Sequence, residues 1–101
     1  YVKALAPLGN LQQAVDTALR RYTIEEITSK IEELRRRDEA FALKYGCGFE
    51  TFKPKMARNG KFVAKIEKTI SKTWELDLAE WEFAHKGVAD WTQRLQEILL
   101  A

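Results

Sequence analysis

The sequence is poor in the residues that usually carry chemistry. Among 101 residues there is one cysteine, one histidine and one methionine, with two prolines and five glycines. A single Cys47 excludes an internal disulfide, and His85 alone cannot build a zinc site of the usual kind. No nucleophile–base pair, phosphate-binding loop or metal-ligand spacing occurs, so no catalytic residue, metal or cofactor is expected. No apolar run approaches the roughly twenty residues of a membrane span and no charged-then-apolar leader is visible, so a cytoplasmic protein without membrane contact is expected. The chain opens on Tyr1 rather than on methionine, and further residues upstream are expected.

What the chain has in quantity is helix-forming pattern. Apolar residues make up 46% and charged residues 32%, which suits an all-α protein and one helical domain over 1–101. One ladder of alternating three- and four-residue steps runs through Ile24, Ile27, Ile31, Leu34, Asp38, Phe41 and Tyr45. A second runs through Trp74, Asp77, Trp81, Ala84, Val88, Trp91, Leu95 and Ile98. This spacing is the seam of a coiled coil, and a helix with one such stripe must bury it against another. The expected fold is a long antiparallel helical hairpin, coiled-coil-like, with helices at about 24–45 and 73–100.

Leu8, Leu11, Val15, Ala18 and Tyr22 predict an additional N-terminal helix over about 9–22, with Asn10 as its cap. Thr23 and Glu26 have the spacing of a capping box, flanked by Tyr22 and Ile27 as a hydrophobic staple, so a new helix is predicted to start at Ile24. Gly46 should close that helix in the left-handed conformation. Residues 46–72 are expected to form an irregular basic connector. A short helix carrying Phe49, Phe52 and Met56 and ending at Asn59-Gly60 is favoured, followed by extended chain. The alternative is a β-hairpin turning at Asn59-Gly60, with Phe62, Ala64 and Ile66 alternating in its second strand. Thr73 should cap the last helix, with Glu75 and Asp77 near its positive end.

The formal net charge of +2 hides a polarised chain. Over residues 53–72, seven cations face Glu67 alone, a balance of +6; over 73–101, two cations face six carboxylates, a balance of −4. Such an arrangement attracts its own chain, a second copy or an anionic partner.

Three segments carry a resemblance: Tyr-Thr-Ile-Glu-Glu-Ile at 22–27, Lys-Tyr-Gly-Cys-Gly-Phe-Glu-Thr-Phe at 44–52, and Asp-Leu-Ala-Glu-Trp-Glu at 77–82. In order and spacing they resemble a group of small, helical, mostly uncharacterised bacterial and archaeal proteins, some encoded as antitoxin-like partners beside a small toxin gene. The resemblance spans roughly residues 20–100 and implies a protein partner and no catalytic residues. The long basic connector and Pro54 depart from that pattern.

Several residues stand out as candidates. Asp38 and Asp77 interrupt the two ladders and, in an antiparallel hairpin, could share a layer; alternatively Asp38 bonds Arg35 or a tryptophan indole while Asp77 stabilises a helix start. Trp74, Trp81 and Trp91 fall on the seam and are expected in the core. His85 beside it is expected to be a hydrogen-bonded packing residue, and Cys47 a buried or idle thiol. Leu76 and Phe83 lie off the seam, and Leu78 and Leu99 widen its other side, so these four residues are the expected partner-binding surface of a homodimer or of a complex with another protein. Lys61, Lys65 and Lys68 form the alternative, a nucleic-acid surface on the connector, with Phe49, Phe52 or Phe62 available for stacking.

Overall fold

A computed structural model describes the backbone of residues 2–100 and the side chains of 11–100. The described residues form four helices and no strand: α1 (Val2–Tyr45), α2 (Phe49–Arg58), α3 (Gly60–Thr69) and α4 (Trp74–Leu100).

The expected boundary at Thr23 is absent, because α1 is one helix of 44 residues, about 66 Å long. Between Leu11 and Tyr45 the sequence has neither glycine nor proline, so nothing interrupts the backbone ladder. A capping box needs a non-helical residue at its first position. Inside a continuous helix the Thr23 hydroxyl instead donates back to the Leu19 carbonyl at 3.0 Å. The side chains of Leu8 and of the expected cap Asn10 lie outside the described residues.

Gly46 closes α1 as its sequence position requires, with φ of +77° and its amide on the Ala42 carbonyl at 2.9 Å. The connector is not irregular, and neither the extended run nor the β-hairpin is present. Asn59 ends α2 and also caps α3, its side-chain oxygen accepting the Phe62 amide at 3.1 Å. α3 then turns Phe62, Val63 and Ile66 inward at helical spacing. Within α2, Pro54 removes one helical hydrogen bond, a cost of up to about 3 kcal/mol. Burial of Phe49, Phe52 and Met56 on the same helix offsets it. At α4 the Thr73 carbonyl accepts the Leu76 and Asp77 amides, while its hydroxyl pairs with Ser71 at 3.0 Å instead of capping.

α1 and α4 pack together with opposite chain directions. Tyr45 meets Asp77, Asp38 meets Trp81, and Arg20 reaches the Ile98 carbonyl. Ile27, Ile31, Leu34, Trp81 and Ala84 are buried along this contact. α2 and α3 close over one end, where Tyr45, Phe49, Phe52, Met56 and Ile66 surround Trp81. The molecule measures 78 × 18 × 16 Å with a radius of gyration of 21.9 Å, against about 13 Å for a compact chain of this length. It is a rod with its core at one end, and the first part of α1 projects beyond α4.

Close approach of the two long helices depends on Gly87. A Cβ there would lie 2.7 Å from Cδ1 of the wholly buried Leu34, so that side chain would have to shift within the core. Gly87→Ala gains about 1 kcal/mol of helix propensity but overpacks Leu34 at about 1–3 kcal/mol, so a net loss of about 1 kcal/mol is expected in urea denaturation. Gly60→Ala, where nothing lies within 4 Å, should leave the midpoint unchanged or raise it. Thr23→Ala tests the continuous helix: a stability gain of about 0.5 kcal/mol is expected from propensity, whereas loss of about 1 kcal/mol would restore the capping box.

Candidate functional site

Trp81 is the largest fully buried side chain, and its indole N–H must find an acceptor. Asp38, where the α1 ladder breaks, supplies it: Oδ1 accepts from Trp81 Nε1 at 2.6 Å. The second carboxylate oxygen of Asp38 lies 3.0 Å from Nδ1 of His85, one turn further along α4. The other ring nitrogen, Nε2, lies 2.9 Å from Glu50 Oε1 at the start of α2. The His85 ring also stacks on Phe49, centroids 4.8 Å apart. One imidazole therefore joins α4 to both α1 and α2.

Both ring nitrogens face carboxylate oxygens, which accept only, so the imidazolium is the one form that donates to both. Partial burial works against that charge, but the hydrogen bonds and negative charges of Asp38 and Glu50 outweigh it and raise the His85 pKa above its ordinary 6.5. A carboxylate on Nδ1 is also how a catalytic histidine is oriented. Here Nε2 is occupied by Glu50, and no described hydrogen bond joins His85 to a serine, threonine or cysteine. By joining α1, α2 and α4 the cluster forms a clamp between them. Among the described residues, no group of three or more histidine, cysteine, aspartate or glutamate side chains is arranged to hold a metal.

Asp77 forms a second junction, accepting the Tyr45 hydroxyl at 2.5 Å and the Lys44 ammonium at 2.6 Å. Partial burial opposes its charge, yet these bonds hold the carboxyl below its ordinary range. Burial, reinforced by Asp77, pushes the Tyr45 phenol well above its usual value and keeps it a donor. Asp38 and Asp77 therefore do not share a layer. The groups they meet on the opposing helix are Trp81 and Tyr45, and on α1 Asp38 lies seven residues, about 10 Å, from Tyr45. A third junction lies outside: Lys86 and then Lys53 donate to Glu82, holding its carboxyl down at about 2.

The remaining candidates separate. Leu76 and Phe83 are 69% and 63% exposed on the outer face of α4. Leu99 is also exposed, at the far end of the helix. Leu78 is not part of that face, since it packs against the aromatic cluster. Lys61, Lys65 and Lys68, expected on extended chain, lie on one face of α3. Trp74 is half-buried with its N–H on Glu67 at 3.1 Å, and Trp91 is half-buried beneath Arg94, 4.6 Å from its ring. Cys47 is half-buried. Sequence reasoning missed Glu50 as a partner of His85, and Arg20 as the donor to the last turn of α4. Once the helix directions are fixed, Asp38, Trp81 and His85 follow from register, whereas the place of Glu50 depends on how α2 docks.

Comparison with protein-family models, curated proteins and solved structures finds no match.

The His85 clamp sets a sign for pH dependence. A raised folded-state pKa means that the contribution is fully present below about 6.5 and is lost as pH rises through the higher folded value. Asp77 and Glu82, with lowered values, act oppositely and lose theirs as pH falls through the folded values. The urea midpoint of the native chain should therefore fall between about pH 6 and pH 8.5, and His85→Gln should flatten that limb. An unchanged slope in the variant would assign the titration to another group.

Proposed function

We propose that this chain is a protein–protein interaction module, antitoxin-like in role, whose long helices form a coiled-coil-like hairpin that presents the outer face of α4 to another protein. The observation that supports it is the exposed pair Leu76 and Phe83, which project on one side of α4 two turns apart. Phe83 borders a shallow groove with Arg37, Ala40, Phe41 and Glu80. Side chains of this size gain about 1.5–3 kcal/mol each when covered. Glu75, Glu80 and Asp90 lie on the same helix, whose segment carries the −4 balance, so the partner fitting this face is basic with an apolar centre. The antitoxin-like role comes from the sequence resemblance. No described helix is long and apolar enough to cross a membrane.

A second reading is favoured by one observation. Because α3 is helical, Lys61, Lys65 and Lys68 are gathered on one side, all exposed and none in an ion pair among the described residues. Three such cations could follow a phosphate backbone, and neutralising them would then lower the salt dependence of binding by about 0.9 for each lysine that pairs with a phosphate.

The test is co-expression with the product of the adjacent gene. Leu76→Lys combined with Phe83→Lys should abolish co-purification while leaving helical circular dichroism intact, since the buried Trp81 and Ala84 are untouched. Unchanged co-purification would remove this face from the reading. Loss of binding on converting Lys61, Lys65 and Lys68 to glutamine would favour the second.

A further inference from the structure

The helical form of α3 groups its charges as an extended chain would not. Ile66 is buried, and Phe62 and Val63 are half-buried, so these three mark the inner side of the helix. At about 100° per residue, Lys61, Lys65 and Lys68 fall within about 60° of one another on the outer side. All three are exposed. The whole chain, at +2, has little attraction for a polyanion, whereas the balance of +6 over residues 53–72 has a strong one.

Elsewhere a helical cation meets a carboxylate one turn away, as Arg37 meets Glu33 and Lys86 meets Glu82. The α3 row lacks such partners. No residue three or four positions from Lys61, Lys65 or Lys68 is acidic, and Arg58 and Lys72 occupy two of those positions. Glu67, the one carboxylate between residues 53 and 72, accepts the Trp74 indole N–H at 3.1 Å. Like charges at helical spacing repel, and an anion from outside the chain would relieve them. Lys55 and Arg58, at the end of α2, are exposed and lie outside every described ion pair, whereas Lys53 donates to Glu82 on α4 at 2.9 Å.

We propose that the outer row of α3, Lys61, Lys65 and Lys68, binds the phosphate backbone of duplex nucleic acid without sequence preference. The proposal rests on the reading of these lysines as a phosphate-binding surface and is independent of the Leu76–Phe83 face.

The class of ligand follows from what surrounds the lysines. Single strands are held by stacking their bases on aromatic rings. The rings of α2 and α3 are withdrawn from that use: Phe49 and Phe52 are buried, and Phe62 has Lys55 over it at 5.1 Å and Phe52 edge-on at 6.1 Å. A helix that lies in a membrane surface sets bulky apolar side chains against lipid, but the fully exposed apolar residue of α3 is the small Ala64. Lysine meets a phosphate as a point charge, and the row has no arginine, asparagine or glutamine for bidentate contact with a base. Lys61 and Lys68 stand about 10.5 Å apart along the axis, over which a duplex presents about six charges, enough for each lysine to find one.

The test is fluorescence anisotropy of the full chain with two labelled duplexes of unrelated sequence and a single strand of equal length, with phosphatidylserine vesicles as a further polyanion. Both duplexes should bind equally, and more tightly than the strand. Three phosphate contacts give a log–log salt slope of about −2.7, so affinity should fall about fortyfold between about 50 and 200 mM salt. Combining Lys61→Gln, Lys65→Gln and Lys68→Gln should remove most of that slope and weaken binding by at least about tenfold. Lys53→Gln, engaged with Glu82, should leave the slope unchanged. Helical circular dichroism should be retained in both variants, since all four lysines are exposed. Tighter binding of the single strand would overturn the duplex assignment and leave the phosphate-binding reading standing. Absence of binding to either nucleic acid at ~100 μM protein and about 50 mM salt would overturn both. A preference for one duplex, an equal effect of Lys53→Gln, or binding to the vesicles alone would each overturn the proposal.

Discussion

The burial of one indole organises this protein. Trp81 is fully enclosed, and an unpaired N–H at that depth would cost about 1–3 kcal/mol, so an acceptor must reach it through an apolar seam. Asp38 is that acceptor, and a carboxylate brought to a seam needs its own compensation. His85 provides it and, having a second nitrogen, engages Glu50 on α2. Around the same indole, Phe41, Tyr45, Phe49 and Phe52 pack with centroids 5.2–5.8 Å from its ring. Polar satisfaction and aromatic packing thus meet at one side chain, and among the described residues no buried side-chain polar atom lacks a partner.

Electrostatics adds a layer outside that core. Asp77 ties the start of α4 to the end of α1, and Glu82 ties α4 to α2 through Lys53. Ion pairs whose cation is open to solvent are screened and add little net stability, so they orient the helices more than they hold them. The acidic segment with α4 attracts the basic α2–α3 pair in its own chain, and part of the charge separation in the sequence is used internally. The lysines on α3 are the part left outside those ion pairs.

The rod distributes its stability unevenly. The end closed by α2 and α3 has a compact aromatic core, the middle buries Ile27, Ile31 and Leu34 with Leu34 set against Gly87, and the side chains of residues 11–23 are exposed among the described residues. A lone helix in water gains little from its own hydrogen bonds, because nucleation is costly and packing supplies most of its stability.

The sequence by itself determined the helical character, the two ladders along which α1 and α4 meet and the left-handed Gly46, and it narrowed Asp38 to Arg35 or an indole. Each is local or follows from periodicity, so residue order suffices. It misled at Thr23, where a capping-box pattern competed with an uninterrupted backbone ladder, and at residues 61–69, where the alternation of Phe62, Ala64 and Ile66 hid the helical spacing of Phe62, Val63 and Ile66 behind the Asn59 cap. Tertiary structure decided the rest: Glu50 meets His85, and Leu78 turns inward while Leu76 stays out. These depend on how one helix is rotated and docked against another, a property of the packed pair that no single stretch of residues encodes.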